Sequence, residues 1–427
     1  MSTVILGGGI IGSSIAYYLS ESKQAGDVHI IESSSQLFSG ASGYAAGFLA
    51  KDWFAPSLAS LGELSFNLHE SLATEHGGAE KWGYMKGTAL SLAPPVSSKF
   101  GVHGDDWLSA GASRAEMAGG SNESATVEVP EWLTRQKGLA LEKISDEDTA
   151  QVDPFKLSAF LIDSAISRGV QLHQPARAIS LVTDQESDPI TEITIQNVES
   201  GTETTIPCTN LIVCAGPWTP RVFHDLFPSS QLDIPVSSLA GYSLVLRSPR
   251  YTLDDEQKLH EGRSHAIFSE NPGSSGFSPE VFSRQGAEIY IAGLNSPQTK
   301  LPPRAEDTVN LKQQKDLERL KSVSIQLLGR LTDEAAESGE GSPNIDDLEV
   351  VREGLCFRPI SRLGVPIVSR VGDSSLGRGF KSSHEGGVFV ASGHGPWGIS
   401  LSLGTGKVIA DMVRGVEPGA NVNDLSI

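Results

Sequence analysis

Cysteine is scarce: Cys208, Cys214 and Cys356 are the only three in 427 residues, and no two stand at metal-ligand spacing. That argues against a structural zinc site and a disulfide framework, and it fits a reducing compartment. Positive charge is also short. With 33 Lys and Arg against 52 Asp and Glu, the net charge of -19 repels phosphate backbones and speaks against nucleic-acid partners. No apolar run approaches the roughly 18 residues of a membrane span, so no membrane insertion is expected. The first strand starts directly after Met1-Ser2, leaving no room for a signal or transit peptide. Leu425-Ser426-Ile427 is not the peroxisomal tripeptide, and a cytoplasmic location is expected by default.

What is present is enough chain for two sizeable cores. Thr3 to Leu6, Val28 to Ile31 and Leu211 to Cys214 are short runs rich in β-branched residues, the pattern of parallel strands buried on both faces. Between them, Ile190 to Val198, Tyr242 to Leu246 and Ala287 to Ala292 have antiparallel character. Leu311 to Leu331 carries apolar residues at helical spacing and predicts one amphipathic helix packed on a second domain. Gly101 to Gly138 and the acidic Asp333 to Asp347 read as long solvated loops.

The strongest motif is Val4-Ile5-Leu6-Gly7-Gly8-Gly9-Ile10-Ile11-Gly12-Ser13, a GxGxxG turn between a strand and an apolar-periodic helix. Gly7 permits the tight turn, Gly9 lets backbone N–H groups approach a pyrophosphate at the helix N-terminus, and Gly12 lets helix and strand pack closely. Twenty residues on, Glu32 ends the next strand, where a carboxylate can accept from both ribose hydroxyls and disfavours a 2′-phosphate. A dinucleotide is implied, and at this point a nicotinamide cofactor fits as well as a flavin one. The small-residue run from Ser39 to Ala50 could pass a large planar ring or be a flexible linker.

Together, that turn, Glu32, Ala41-Ser42 and Ala46-Gly47 resemble the FAD-binding start of the D-amino acid oxidase superfamily, in its glycine oxidase and sarcosine oxidase branch. Pro175-Ala176-Arg177-Ala178, Ala215-Gly216-Pro217-Trp218 and Gly393-His394-Gly395-Pro396-Trp397-Gly398-Ile399 are similar to its adenine strand, its flavin-returning strand end and its closing flavin loop. The resemblance implies an α/β fold with a discontinuous Rossmann-like FAD-binding domain (residues 1–95, 146–232 and 350–427). A second, antiparallel-sheet substrate domain would take residues 96–145 and 233–349. Cofactor contacts are implied at Gly7, Gly9, Ile10, Ile11, Gly12, Glu32, Ser33, Ala41, Ser42, Ala46, Gly47, Phe48, Leu49, Ala176 and Arg177. Further contacts are implied at Ala215, Gly216, Trp218, Cys356, Arg358 and the whole Gly393 to Ile399 loop. The helix after that loop would point its N-terminus at the flavin pyrimidine, whose O2 gains negative charge on reduction.

In glycine oxidase-like members the arginine matching Arg358 binds the substrate carboxylate, a task its planar fork suits. The other reading pairs Arg358 with a protein carboxylate, and Leu363 departs from the family's usual Asp. Cys356 stands two positions before Arg358, the spacing at which sarcosine oxidase-type enzymes attach flavin covalently; an inert buried thiol is the other reading. His394 is a candidate base or a flavin-contacting loop residue, and Tyr242 a candidate for closing the substrate side or a core aromatic.

The implied activity is oxidation of a C–N bond in a small amine or amino acid by hydride transfer to flavin N5, with O2 as acceptor, in a monomer or homodimer. A flavin-bearing trafficking factor with little turnover is the alternative. It follows from the likeness of the Ala41 to Trp53 and Gly393 to Gly398 phrases to a fungal subgroup of oxidoreductases linked to endosomal recycling.

Overall fold

Strands without an exposed residue set the first layer. Thr3–Leu6, Val28–Ile31 and Asn210–Val213 are buried along their whole length and pair in parallel, Val4 beside Leu211 and Ile5 beside Ile30. The computed structural model describes residues 1–22, 25–94, 114, 129–136, 138–184, 188–270, 275–332 and 344–427. Most of the two expected surface loops lies outside them.

Six strands form this sheet in the order Ile367–Val371, Gly387–Ser392, Asn210–Val213, Thr3–Leu6, Val28–Ile31 and Gln171–His173. Only the first pair is antiparallel. Alternation within each strand feeds two cores, as the pleat requires. Ile5, Ile30, Ile212 and Phe389 face a helical layer that includes Ile10–Leu19 and Ser402–Val413. Val4, Leu6, Leu211 and Val390 face a three-stranded antiparallel sheet built from Ala176–Thr183, Ile190–Asn197 and Glu203–Pro207. This is a Rossmann-like domain with helices on one face and a small sheet on the other.

The second layer is a large, mainly antiparallel sheet. Its strands run Glu349–Ser361, Val236–Arg247, Glu288–Ser296, Glu280–Arg284, Ser264–Ser269, Met85–Ala93, Thr149–Gln151 and Phe48–Ala50, with Ala140–Ser145 paired on Met85–Ala93. The amphipathic helix is observed at Gln314–Leu328, shorter than expected at both ends: Leu311 closes a 3-10 turn, Ala305–Leu311, and the backbone is extended at Lys312, Gln313 and Gly329. Leu317, Leu320, Val323 and Leu327 are its buried stripe, and they join the core of the large sheet. Among the described residues no helix is long and apolar enough to cross a membrane.

Candidate active site

The glycine turn is sterically obligatory. Gly7 has φ +118°, and a Cβ there would lie 2.7 Å from Cys214 O; a Cβ on Gly12 would lie 1.9 Å from Gly7 O. Neither position accepts a side chain, which leaves the turn close to the sheet and its helix N-terminus open to an anion. Ile10 N–H already has a neutral partner, the Ser42 hydroxyl at 2.9 Å. Glu32 accepts from Gly8 N at 2.9 Å with one carboxylate oxygen and from Ser34 N at 2.8 Å with the other. Those bonds fix the carboxylate plane, and each oxygen retains a lone pair for a hydroxyl.

The small-residue run is braced rather than flexible. It folds as a short helix, Ala41–Tyr44, then the strand Phe48–Ala50, around Gly47 at φ +92°. Buried Arg284 donates to Ala45 O at 2.7 Å and Ala46 O at 2.6 Å, and Gln151 Nε2 also reaches Ala46 O at 2.6 Å. Arg352 donates to Gly43 O at 2.9 Å. Burial lowers the Arg284 pKa, and no carboxylate pairs with it among the ion pairs of the described residues.

These elements enclose one cavity of about 690 Å³, within the range of cofactor and ligand sites. It joins Gly7, Gly9, Ile10, Ile11, Glu32, Ser33, Ala41, Ser42, Ala46, Gly47 and Phe48 to Ala176, Arg177, Ala215, Gly216 and Trp218. It also reaches Cys356, Arg358, His394, Gly395, Pro396, Gly398 and Ile399.

Four expected cofactor contacts and the substrate-side candidate Tyr242 lie off its lining. Gly12 acts through helix packing, Leu49 is fully buried in the core, and Gly393, at φ +79°, shapes the loop against Ser361. Trp397 is buried edge-on against Phe54 at 4.9 Å. Tyr242 does not close the substrate side. Its ring belongs to the large-sheet core, and its hydroxyl accepts from Gln313 N at 2.9 Å. The closing loop contains a 3-10 turn, Gly395–Trp397, and the helix after it starts only at Ser402.

Arg358 reaches across its neighbour strand, where Gly241 makes room: a Cβ there would be 2.1 Å from the guanidinium. Nη1 donates to Asn295 Oδ1 at 2.9 Å, and among the described residues Arg358 forms no ion pair. A cation facing the cavity with a neutral amide as its hydrogen-bond partner is suited to a ligand carboxylate. Burial pushes the Cys356 thiol up, against the smaller opposing pull of Arg358 and Arg352. His394 shares a 3.1 Å hydrogen bond with Thr405, and burial lowers its pKa to about 4, so it is neutral at pH 7.

Several cavity residues escaped the sequence reading. Glu280 pairs in two-point fashion with Arg114, both contacts at 2.9 Å, and the Arg114 guanidinium lies 4.7 Å from the Trp397 ring centre. Tyr290 lines the cavity and donates to Tyr44 O at 2.9 Å. Behind the lining, Arg284 ends the buried run Val281-Phe282-Ser283 and carried the one available signal: a cation in a buried strand needs a structural employer.

Residues 2–412 match the sequence model of the family described as FAD dependent oxidoreductase, DAO. A Schizosaccharomyces pombe protein is 28% identical over 98% of this chain and 96% of its own length. The Saccharomyces cerevisiae protein TDA3 is 24% identical over 99% of this chain and 93% of its own. Both names say oxidoreductase and give no substrate. Among solved structures, glycine oxidase from Geobacillus kaustophilus superposes with a TM-score of 0.70 at 21% identity, covering 100% of this chain and 97% of that one.

Proposed function

The chain belongs to the FAD dependent oxidoreductase (DAO) family, and from that premise we propose that it oxidises a C–N bond of a small amine or amino acid, with O2 as the final acceptor. The residues present fit FAD: a turn without room for side chains, a fixed carboxylate at Glu32 and a cavity of about 690 Å³. Bound FAD would supply the two-electron acceptor for the substrate and the route by which those electrons reach O2 as hydrogen peroxide.

The protein's share is binding, orientation and exclusion of water. The observation that carries the reading is Arg358, which faces the cavity with no carboxylate partner among the described residues. Its fork holds the substrate carboxylate, and Asn295 keeps the guanidinium turned toward the cavity. Tyr290, Ala292 and Ile399 supply apolar lining around the reacting carbon. The substrate amine reacts in its neutral form, so no strong base is required. This agrees with a His394 that is held neutral with its Nε2 bonded to Thr405. The product imine hydrolyses in water.

The test is anaerobic reduction of the holoprotein by a panel of D-amino acids, N-methyl amino acids and simple amines, read at the flavin absorbance. We expect bleaching by a subset sharing a carboxylate, and peroxide on readmission of O2. In Arg358→Ala the substrate concentration for half-maximal reduction should rise roughly 10- to 100-fold, the weight of a charge-assisted hydrogen bond. A flavin that no candidate reduces would overturn the proposal and leave a cofactor-bearing scaffold in its place.

A further inference from the structure

The segment joining the strand Glu288–Ser296 to the helix Gln314–Leu328 leaves its own sheet and meets the nucleotide sheet at two places. At one, Trp218 Nε1 donates to Pro302 O at 2.7 Å and Arg221 donates to Pro303 O at 2.6 Å. At the other, the Glu306 carboxylate accepts from Ser35 N at 2.9 Å and from the Ser35 hydroxyl. Beside it, a Cβ placed on Gly40 would stand 3.7 Å from Ala305 Cβ.

Strand order says what lies beneath. Trp218 and Arg221 follow the strand Asn210–Val213, while Ser35 and Gly40 follow Val28–Ile31. The strand between those two is Thr3–Leu6, and all three run parallel, so their carboxyl ends share one edge of the sheet. Adjacent strands are about 4.8 Å apart. A segment anchored on the outer two therefore crosses the end of the middle one, which is the Gly7 to Gly12 turn. Arg304 sits between the anchors and lines the cavity, its guanidinium steered by Glu306 at 2.6 Å and Asp307 at 3.4 Å.

We propose that Pro302 to Glu306 is a strap by which the antiparallel-sheet part of the molecule retains FAD, and that Arg304 is the cation it brings over the phosphate-binding turn. The inference rests on reading that turn as the pyrophosphate site. The turn itself offers backbone N–H groups and a helix N-terminus but no side-chain charge, whereas a pyrophosphate carries two negative charges. Arg304, its charge shared with Glu306 and Asp307, adds guanidinium N–H donors from the far side. Cofactor leaving this end of the cavity must first break the contacts of Ser35, Trp218 and Arg221, so strap opening governs release.

The 3.7 Å Cβ separation matches that of a disulfide, and Gly40 at φ -94° is in a region open to any residue. The double variant Gly40→Cys/Ala305→Cys therefore allows the strap to be locked. FAD release is followed by the rise in flavin fluorescence after dilution of the holoprotein, with disulfide formation checked by mass. We expect release at least tenfold slower in the oxidised double variant than after reduction, with no such change in Gly40→Cys alone. We further expect release roughly tenfold faster than wild type in Glu306→Gln and in Arg304→Ala. Equal rates for the oxidised and reduced double variant, or wild-type release in both point variants, would overturn the strap while leaving the site intact. A wild-type protein that binds no FAD would overturn the site reading, and the strap with it.

Discussion

Arg358 and Cys356 stand two residues apart on one strand and line the same cavity, yet their surroundings prepare them for different states. The guanidinium is turned to a neutral amide. The thiol, in contrast, is pushed up by burial, so little thiolate is present to attack a flavin ring. We therefore expect acid precipitation of the holoprotein to release its FAD into the supernatant and leave a colourless pellet. Yellow colour that stays with the protein, and is lost in Cys356→Ala, would show the covalent link instead. Both positions were singled out in the sequence only through the family resemblance of the Cys-Phe-Arg-Pro run, whereas Gly7, Gly9, Gly12 and Glu32 stood out by their own spacing; all of them except Gly12 line the cavity. Asn295 was not legible there, since it meets Arg358 only through strand pairing across Gly241. Tyr242 misled for the complementary reason: alternation puts it in a strand but does not say which face looks at the cavity.

At the scale of an element, the loop Ala45 to Gly47 is held by groups far away in sequence. Two of its carbonyls are buried acceptors for Arg284, whose guanidinium also lies 4.6 Å from the Tyr290 ring centre. Arg284→Met would keep the bulk and remove the Arg284 bond to Ala45 O, while Ala46 O keeps Gln151, at about 1–3 kcal/mol for the one unsatisfied group. The expected outcome is a loss of roughly 2 kcal/mol in chemical denaturation of the holoprotein, with FAD affinity at least tenfold weaker. Arg284→Lys should lie between, because an ammonium cannot span two carbonyls as a planar fork does. Unchanged FAD affinity in Arg284→Met would separate the brace from the cofactor site. Local pattern was sufficient for the βαβ start and for the helix Gln314–Leu328, where periodicity and steric need are written within a few residues. The brace and the strap were illegible, because both are contacts between strands and loops more than 80 residues apart.

Across the whole molecule, the two layers share one core, although the large sheet has a second core of its own under the helix Gln314–Leu328. Phe48, Phe268, Phe282 and Tyr290 of the large sheet pack in the same cluster as Ile5, Ile30 and Ile212 of the nucleotide sheet. Histidines wholly or largely withdrawn from solvent are distributed over both. His69 donates to Ile399 O at 3.1 Å, His265 sits in the strand Ser264–Ser269, and His394 lies in the closing loop. Burial lowers each from 6.5 to about 4. Between those values the unfolded chain binds protons that the folded chain refuses, so stability is complete above pH 6.5 and falls as pH drops toward 4. Each residue contributes on the order of 3 kcal/mol across that window, and three together rival the roughly 5–15 kcal/mol that holds a domain folded. The thermal midpoint should therefore fall steeply from pH 6.5 to 4.5. Because the core is shared, both layers should melt in one transition throughout. Replacing His69 or His265 by Gln should flatten the slope by about one proton each. A midpoint equal at pH 7 and pH 5 would defeat the histidine argument, and two resolved transitions would defeat the shared core.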